Sequence, residues 1–337
     1  MQLTELTADQ RRQLIDAQQA FRAWRAADRE FRHSYRGEMH WRRVDGREYL
    51  SRKYHKVWEQ LGRRSPETEK IKEDYTTQRT ALRSRLTRLG KRLDDMAALN
   101  KAMGLGRVPT IAARVLRKLD ERGLLGTHVF VAGTHALYAY EARSGILFSG
   151  ELTATTDIDF LWDARQRFTF LMQDINQRSV IGLLQQVDDT FRRTATYRAE
   201  NADPYLVEVI RPLRKNEVMR PELKMSEAEG DLEPASIEGL QWLLNAPKFE
   251  EVAIAEDGRP ILVSCVDPRA FALHKLWLSK RESRAGLKRR RDELQARAVA
   301  AVATQYMGLK FERRELTGLS KELAEGIREF SKTKLET

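Results

Sequence analysis

Two aspartates, Asp157 and Asp159, stand two residues apart in the run Thr156-Asp-Ile-Asp-Phe-Leu-Trp162. The run is short and apolar, which predicts a strand, and side chains alternate between the two faces of a strand. Both carboxylates therefore share one face, while Ile158 and Phe160 turn toward the core. Carboxylates held side by side repel one another unless a positive charge stands between them. Mg²⁺, which takes a few carboxylate oxygens together with phosphates and water, is the usual partner. Tyr205-Leu-Val-Glu-Val-Ile210 reads as another strand, closed by Pro212, with Glu208 set among apolar neighbours where an unpaired charge is costly. A third acid on a neighbouring strand lets two metal ions share a site, one activating an attacking hydroxyl and one steadying the leaving group.

The other half of such a site is a place for anions. His128-Val-Phe-Val-Ala132 reads as an apolar strand that runs into Gly133-Thr134 and then a helix to about Arg143. Glycine lets a phosphate approach the backbone, the Thr134 hydroxyl can donate to it, and a helix start adds free N–H groups and a favourable dipole. Taken singly, each feature has an ordinary explanation. A D-x-D pair is usually solvated, a Gly-Thr turn usually just caps a helix, and Glu208 suits an edge strand. Their order within about 80 residues is what points to chemistry on phosphates.

The elements that must position these groups follow from periodicity and turn signals. Residues 4–33 predict a polar helix, and residues 39–61 a small basic β-ribbon with its hairpin turn at Asp45-Gly46. Ser65-Pro66-Glu67 opens a helix to about Lys101, one arm of a helical hairpin, which Gly104 and Gly106 end. A helix over 109–122, strands near 251–255 and 260–265 around Asp257-Gly258, one helix over 268–307 and a last helix over 311–333 complete the reading. The chain divides into a helical extension with its ribbon (1–106), a catalytic domain (107–267) and a C-terminal helical region (268–337).

Lys and Arg total 60 against 49 Asp and Glu, a net charge of +11, which favours polyanionic partners. The ribbon interleaves Trp41, Tyr49 and Tyr54 with Arg42, Arg43, Arg52, Lys53 and Lys56, a composition suited to nucleic acid; the expectation is that the basic face meets it while the aromatics pack against the helices. The single cysteine, Cys265, excludes an intrachain disulfide and a cysteine-based zinc site. No apolar run is long enough for a membrane helix and Met1-Gln-Leu-Thr-Glu5 carries no leader pattern, so the expected location is cytoplasmic, with no membrane partner. His128, His135 and His274 are not at metal-ligand spacings, although His135 follows Thr134 closely enough to reach a phosphate. The run Lys288-Arg-Arg-Arg291 is expected to be a solvated basic face.

Gly133-Thr134 with Asp157-Ile-Asp159 resembles the glycine-hydroxyl and paired-aspartate signature of the DNA polymerase β-like nucleotidyltransferase superfamily, and Val-Glu208-Val resembles its third-acid strand. The likeness covers about residues 109–300 and is greatest to bacterial minimal and abortive-infection, toxin-type nucleotidyltransferases with a long N-terminal extension. Lys275 in Arg269-Ala-Phe-Ala-Leu-His-Lys275, with Lys288-Arg-Arg-Arg-Asp292, resembles the helical Lys and Lys/Arg-Asp motifs of that branch. The resemblance implies an α+β fold with a mixed sheet flanked by helices, two Mg²⁺ ions and an NTP donor. Asp157 and Asp159 would bind both metals and Glu208 the catalytic one, acting also as general base. Gly133 and Thr134 would hold the triphosphate, and Lys275 and Lys288 would contact phosphates. It further implies transfer of an NMP to RNA such as tRNA, or to a protein hydroxyl, with a cognate antitoxin as partner. Glu208 stands where aspartate is commoner and Thr134 where serine is. The other reading is a catalytically silent nucleic-acid-binding or regulatory protein on the same fold. Adenylylation of an aminoglycoside sits poorly with a basic surface, since that substrate is itself cationic.

Overall fold

A computed structural model describes residues 3–54, 57–163, 165, 179–213, 225–226, 228–316, 319 and 321–332. Strand β1 (Leu3–Glu5) precedes the long helix α1 (Ala8–Ser34). Thr7 caps α1 reciprocally, accepting from the Gln10 N–H while the Gln10 side chain accepts from the Thr7 N–H. Strands β2 (Glu38–Val44), β3 (Arg47–Tyr54) and β4 (Val57–Arg63) form an antiparallel ribbon, one strand more than a simple hairpin. Asp45 and Gly46 turn β2 into β3 with φ of 49° and 73°, the two positive values that a two-residue hairpin loop requires. Helix α2 (Pro66–Ala102) then runs back along α1, bringing Gln13 to Asn100 and Tyr35 to Tyr75.

Helix α3 (Thr110–Glu121) leads to β5 (Val129–Ala132), a 3₁₀ turn over Gly133–Ala136 and α4 (Leu137–Ser144). Next come β6 (Ile146–Phe148), α5 (Gly150–Thr153), β7 (Asp157–Trp162), α6 (Val180–Gln185), β8 (Arg192–Ala195), β9 (Arg198–Glu200) and β10 (Leu206–Pro212). The chain continues through β11 (Ala235–Ile237), α7 (Leu240–Asn245), β12 (Lys248–Ile254), β13 (Pro260–Val266), α8 (Pro268–Ser279), α9 (Gly286–Gln305) and α10 (Lys321–Lys332).

The central sheet has the order β12-β13-β5-β7-β10-β9-β8, with β11 beside β10. It is mixed: β7 lies antiparallel to β5 and parallel to β10, and β13 parallel to β5. Its middle is dry, since every residue of β5 and β13 is buried, as expected for strands covered on both faces. Helix α1 adds to the same core through Ala20 and Phe21, and the Gln18 side chain donates to the Val252 carbonyl of β12 at 2.9 Å.

Two helical expectations need correction. The single helix over 268–307 is two, α8 and α9, separated by the polar stretch ending at Gly286 and packed against each other. The last helix begins at Lys321 instead of 311; Phe311 is buried ahead of it, in the connection from α9. Between α4 and β7 the chain forms β6, which pairs antiparallel with β1, and α5.

Candidate active site

Register brings the acids together. On β7, Asp159 stands opposite Ala132 of β5 on one side and opposite Glu208 of β10 on the other; Asp157 stands opposite Leu206. Residues in register on neighbouring strands point to the same face, with the strands about 4.8 Å apart. Asp157, Asp159 and Glu208 therefore share one face, while Ile158 and Phe160 are buried on the other. Gly133 begins the corner after β5 at φ +67°, and a Cβ there would lie 2.2 Å from Asp159 Oδ2. The backbone of the corner touches the carboxylate, which leaves no room for a larger residue.

Asp159 accepts no hydrogen bond among the described residues, and its carboxyl is pushed up to about 7. Burial is the main cause, followed by the negative charges of Asp157 and Glu208; Lys275 and Arg284 oppose the shift. Part of its surface still reaches solvent although protein crowds it. Asp157 accepts from the Thr155 hydroxyl. Glu208 is held by Arg198, its in-register partner on β9, whose Nε donates to Oε1 at 2.7 Å. Arg198 Nη2 meets the same oxygen, so Oε2 stays free of partners among the described residues.

Among the described residues, no three Asp, Glu, His or Cys side chains are placed to enclose a metal ion as they stand. Glu208 is turned to Arg198, and the other two acids are a pair. That pair fits Mg²⁺ by the chemistry of its donors. They are hard carboxylate oxygens on one face, one with its proton affinity raised first by burial and then by its negative neighbours, and Mg²⁺ needs only one or two carboxylates beside phosphates and water.

The Gly-Thr corner is organised from α9. Arg291 Nη2 and Gln295 Nε2 both donate to Thr134 Oγ1, at 3.2 and 3.3 Å. Gln295 also donates to the Leu152 carbonyl at 2.7 Å, and Arg291 to that of Ala154. Because two neighbours already donate to the Thr134 oxygen, its own proton is available to a further acceptor. His135 does not reach outward as expected: it is buried, its Nε2 lies 3.1 Å from the Tyr205 hydroxyl, and burial lowers its pKa to about 4, so it is neutral. His274 lies between Trp242 and Trp277 and is lowered to about 3 by burial, then by Lys275.

Lys275 is buried with its Nζ 2.8 Å from Asp292 Oδ1, and Arg284 holds the other Asp292 oxygen. Its charge bears on Asp159, but its hydrogen bond is spent on Asp292. Lys288 is exposed and lines a groove of about 420 Å³ with Trp277, Arg281 and Arg284. Sequence reasoning missed Arg198, Arg284, Arg291 and Gln295. Arg291 and Gln295 are four apart and so share a helix face, a signal hidden within a run otherwise expected to be solvated.

A family model described as nucleotidyltransferase matches residues 110–318, more than half of the chain. No curated protein and no solved structure matches it.

Proposed function

The chain belongs to the nucleotidyltransferase family, and on that premise we propose that it moves a nucleoside monophosphate from an NTP to an acceptor hydroxyl on RNA. The observation that supports this most is the register that sets Asp159 beside Glu208, with Asp157 on the same face and Gly133 against the Asp159 carboxylate. The acceptor oxygen attacks the α-phosphorus, the bond to the bridging oxygen breaks, and pyrophosphate leaves. Glu208 Oε2 takes the hydroxyl proton. Asp157, Asp159 and Glu208 would hold Mg²⁺, which would offset the negative charge on the phosphates and on the attacking oxygen. Thr134 donates its free proton to a phosphate oxygen, and Gly133 lets the phosphates lie against the backbone. The net charge of +11 favours RNA over a protein acceptor.

The test is transfer of label from each of the four α-labelled NTPs, with Mg²⁺, onto total RNA and total protein. Label on RNA that disappears in Asp157→Ala is the expected result; no label on any acceptor would overturn the proposal. The toxin-type reading adds that expression arrests growth and that Asp157→Ala relieves the arrest. The pairing of Glu208 with Arg198 favours, as second reading, a silent nucleic-acid-binding protein. Nucleic-acid binding that ignores Mg²⁺ and survives Asp159→Ala, without transfer, is its signature.

A further inference from the structure

The two faces of the β2–β4 ribbon differ in how their charges are matched. One face is turned to α2. Leu50, opposite Trp41, is fully buried there, and Trp41 lies beneath Arg64 and Lys72 of the α2 entry, 5.0 and 5.6 Å from its ring centre. The acids of this face are paired: Glu59 with Arg52 at 2.6 Å and Glu48 with Arg64 at 2.7 Å. The other face looks outward. Register places Arg42, Tyr49 and Arg63 in one cross-strand row and Glu38, Lys53 and Trp58 in another. Its one acid in those rows, Glu38, stands 3.5 Å from His40 and 3.7 Å from Arg79. Arg42, Lys53 and Arg63 form no ion pair among the described residues. Trp58 remains 40% exposed, with the Arg42 guanidinium 4.5 Å and the Lys53 ammonium 5.4 Å from its ring centre.

We propose that this outer face binds an unpaired stretch of RNA, one base stacking on Trp58 and the phosphates lying on Arg42, Lys53 and Arg63. An exposed indole with two unmatched cations lying over its ring suits a single strand, because phosphates draw the cations off the ring and a bare base takes their place. A duplex keeps its bases stacked on each other and cannot use Trp58. The choice of RNA over DNA rests on the acceptor reading above; the platform itself does not. It would deliver a long acceptor to the enzyme by holding it outside the catalytic cleft.

Binding of a labelled, unstructured oligouridylate to the full chain, followed by anisotropy, tests this without any transfer step, so its failure and the failure of transfer are read separately. Trp58→Ala is expected to weaken binding about tenfold, while Trp58→Phe, which keeps a stacking ring, stays within roughly threefold of the unsubstituted protein. Joint Arg42→Gln and Lys53→Gln should lower the slope of log affinity on log salt by roughly 1.4, two phosphate contacts at the single-strand value. Unchanged affinity in Trp58→Ala overturns the proposal, as does equal loss in both Trp58 variants, which would mark a merely structural ring. Equal competition by an RNA duplex or by polyglutamate overturns the single-strand assignment, and equal competition by DNA of the same sequence overturns the choice of RNA.

Discussion

Replacing Asp159 by Asn should stabilise the protein while ending its activity, and the size of the gain follows from the carboxylate's surroundings. Its pKa rises from 3.8 to about 7, through burial first and then through the charges of Asp157 and Glu208. A folded pKa above the unfolded one means that the folded state holds the proton more tightly, so ionisation costs stability as pH rises. Below about pH 4 the group is protonated in both states and contributes nothing. Between 4 and 7 the unfolded chain releases a proton that the folded chain keeps, and above 7 the full penalty applies. Roughly three pKa units at 1.36 kcal/mol each set a ceiling of about 4 kcal/mol. Asn has the same shape without the charge, although its amide also loses water on burial, so a gain of about 2–4 kcal/mol is expected at pH 8. Urea unfolding of both proteins at pH 8 and at pH 4.5 measures it. The gain should be large at the first pH and mostly gone at the second, and Mg²⁺ at pH 8 should raise the stability of the unsubstituted protein only. An equal or lower stability of Asp159→Asn at pH 8, or a gain that ignores pH, would refute the picture of a crowded and strained acid.

Gly133→Ala places a Cβ 2.2 Å from Asp159 Oδ2 at a φ of +67°. It should cost about 1–2 kcal/mol in backbone strain and, by displacing the carboxylate, lower transfer by roughly 100-fold in a steady-state assay. Arg198→Ala releases Glu208 Oε1 and should tighten Mn²⁺ binding several-fold by calorimetry, whereas Glu208→Gln weakens it; identical affinities would exclude any competition between Arg198 and metal. Lys275→Met leaves Asp292 buried with only Arg284 as partner. Since breaking a buried pair from one side costs about 3–5 kcal/mol, a loss near the lower end is expected in denaturant melts. The double variant Lys275→Met, Asp292→Leu should recover much of it.

What the sequence disclosed was whatever depends on period and on local turns. The face shared by Asp157 and Asp159 follows from strand alternation alone, and Asp45-Gly46 demands its turn without regard to the rest of the chain. Glu208 on β10 was legible as an isolated charge in an apolar strand, yet its place opposite Asp159 depends on which strands pair, and local pattern does not encode that. Arg198 shows the same limit. It lies on a three-residue strand, too short to carry an alternation, and matters because β9 adds to the sheet beside β10. The phosphate role of Lys275 came from the resemblance alone, and a lysine on a helix says nothing about the acid beside it; Asp292 comes from α9, after a break that the sequence had been read as helix. Thr134 was visible, but the two donors that set the direction of its hydroxyl arrive from more than 150 residues away.

The arginines around the acids share one arrangement, and it bears on how a nucleotide would enter. Arg198 holds Glu208, Arg284 holds Asp292, and Arg291 holds Thr134 and the Ala154 carbonyl. Arg198 and Arg284 are matched by carboxylates, whereas Arg291 donates only to neutral oxygens and its Nε is buried without a hydrogen-bond partner among the described residues. These partners are not equally easy to replace. Asp292 is fully enclosed and also carries Lys275, so exchanging Arg284 away from it would strand a buried pair. The Arg291 contacts are to neutral oxygens, so a phosphate can take Arg291 without leaving a charge unpaired, whereas taking Arg198 leaves Glu208 to find another cation. The readily exchangeable arginine is therefore Arg291 at the corner, Arg198 follows only where a cation replaces it on Glu208, and the Lys275–Asp292–Arg284 cluster is the fixed frame behind them.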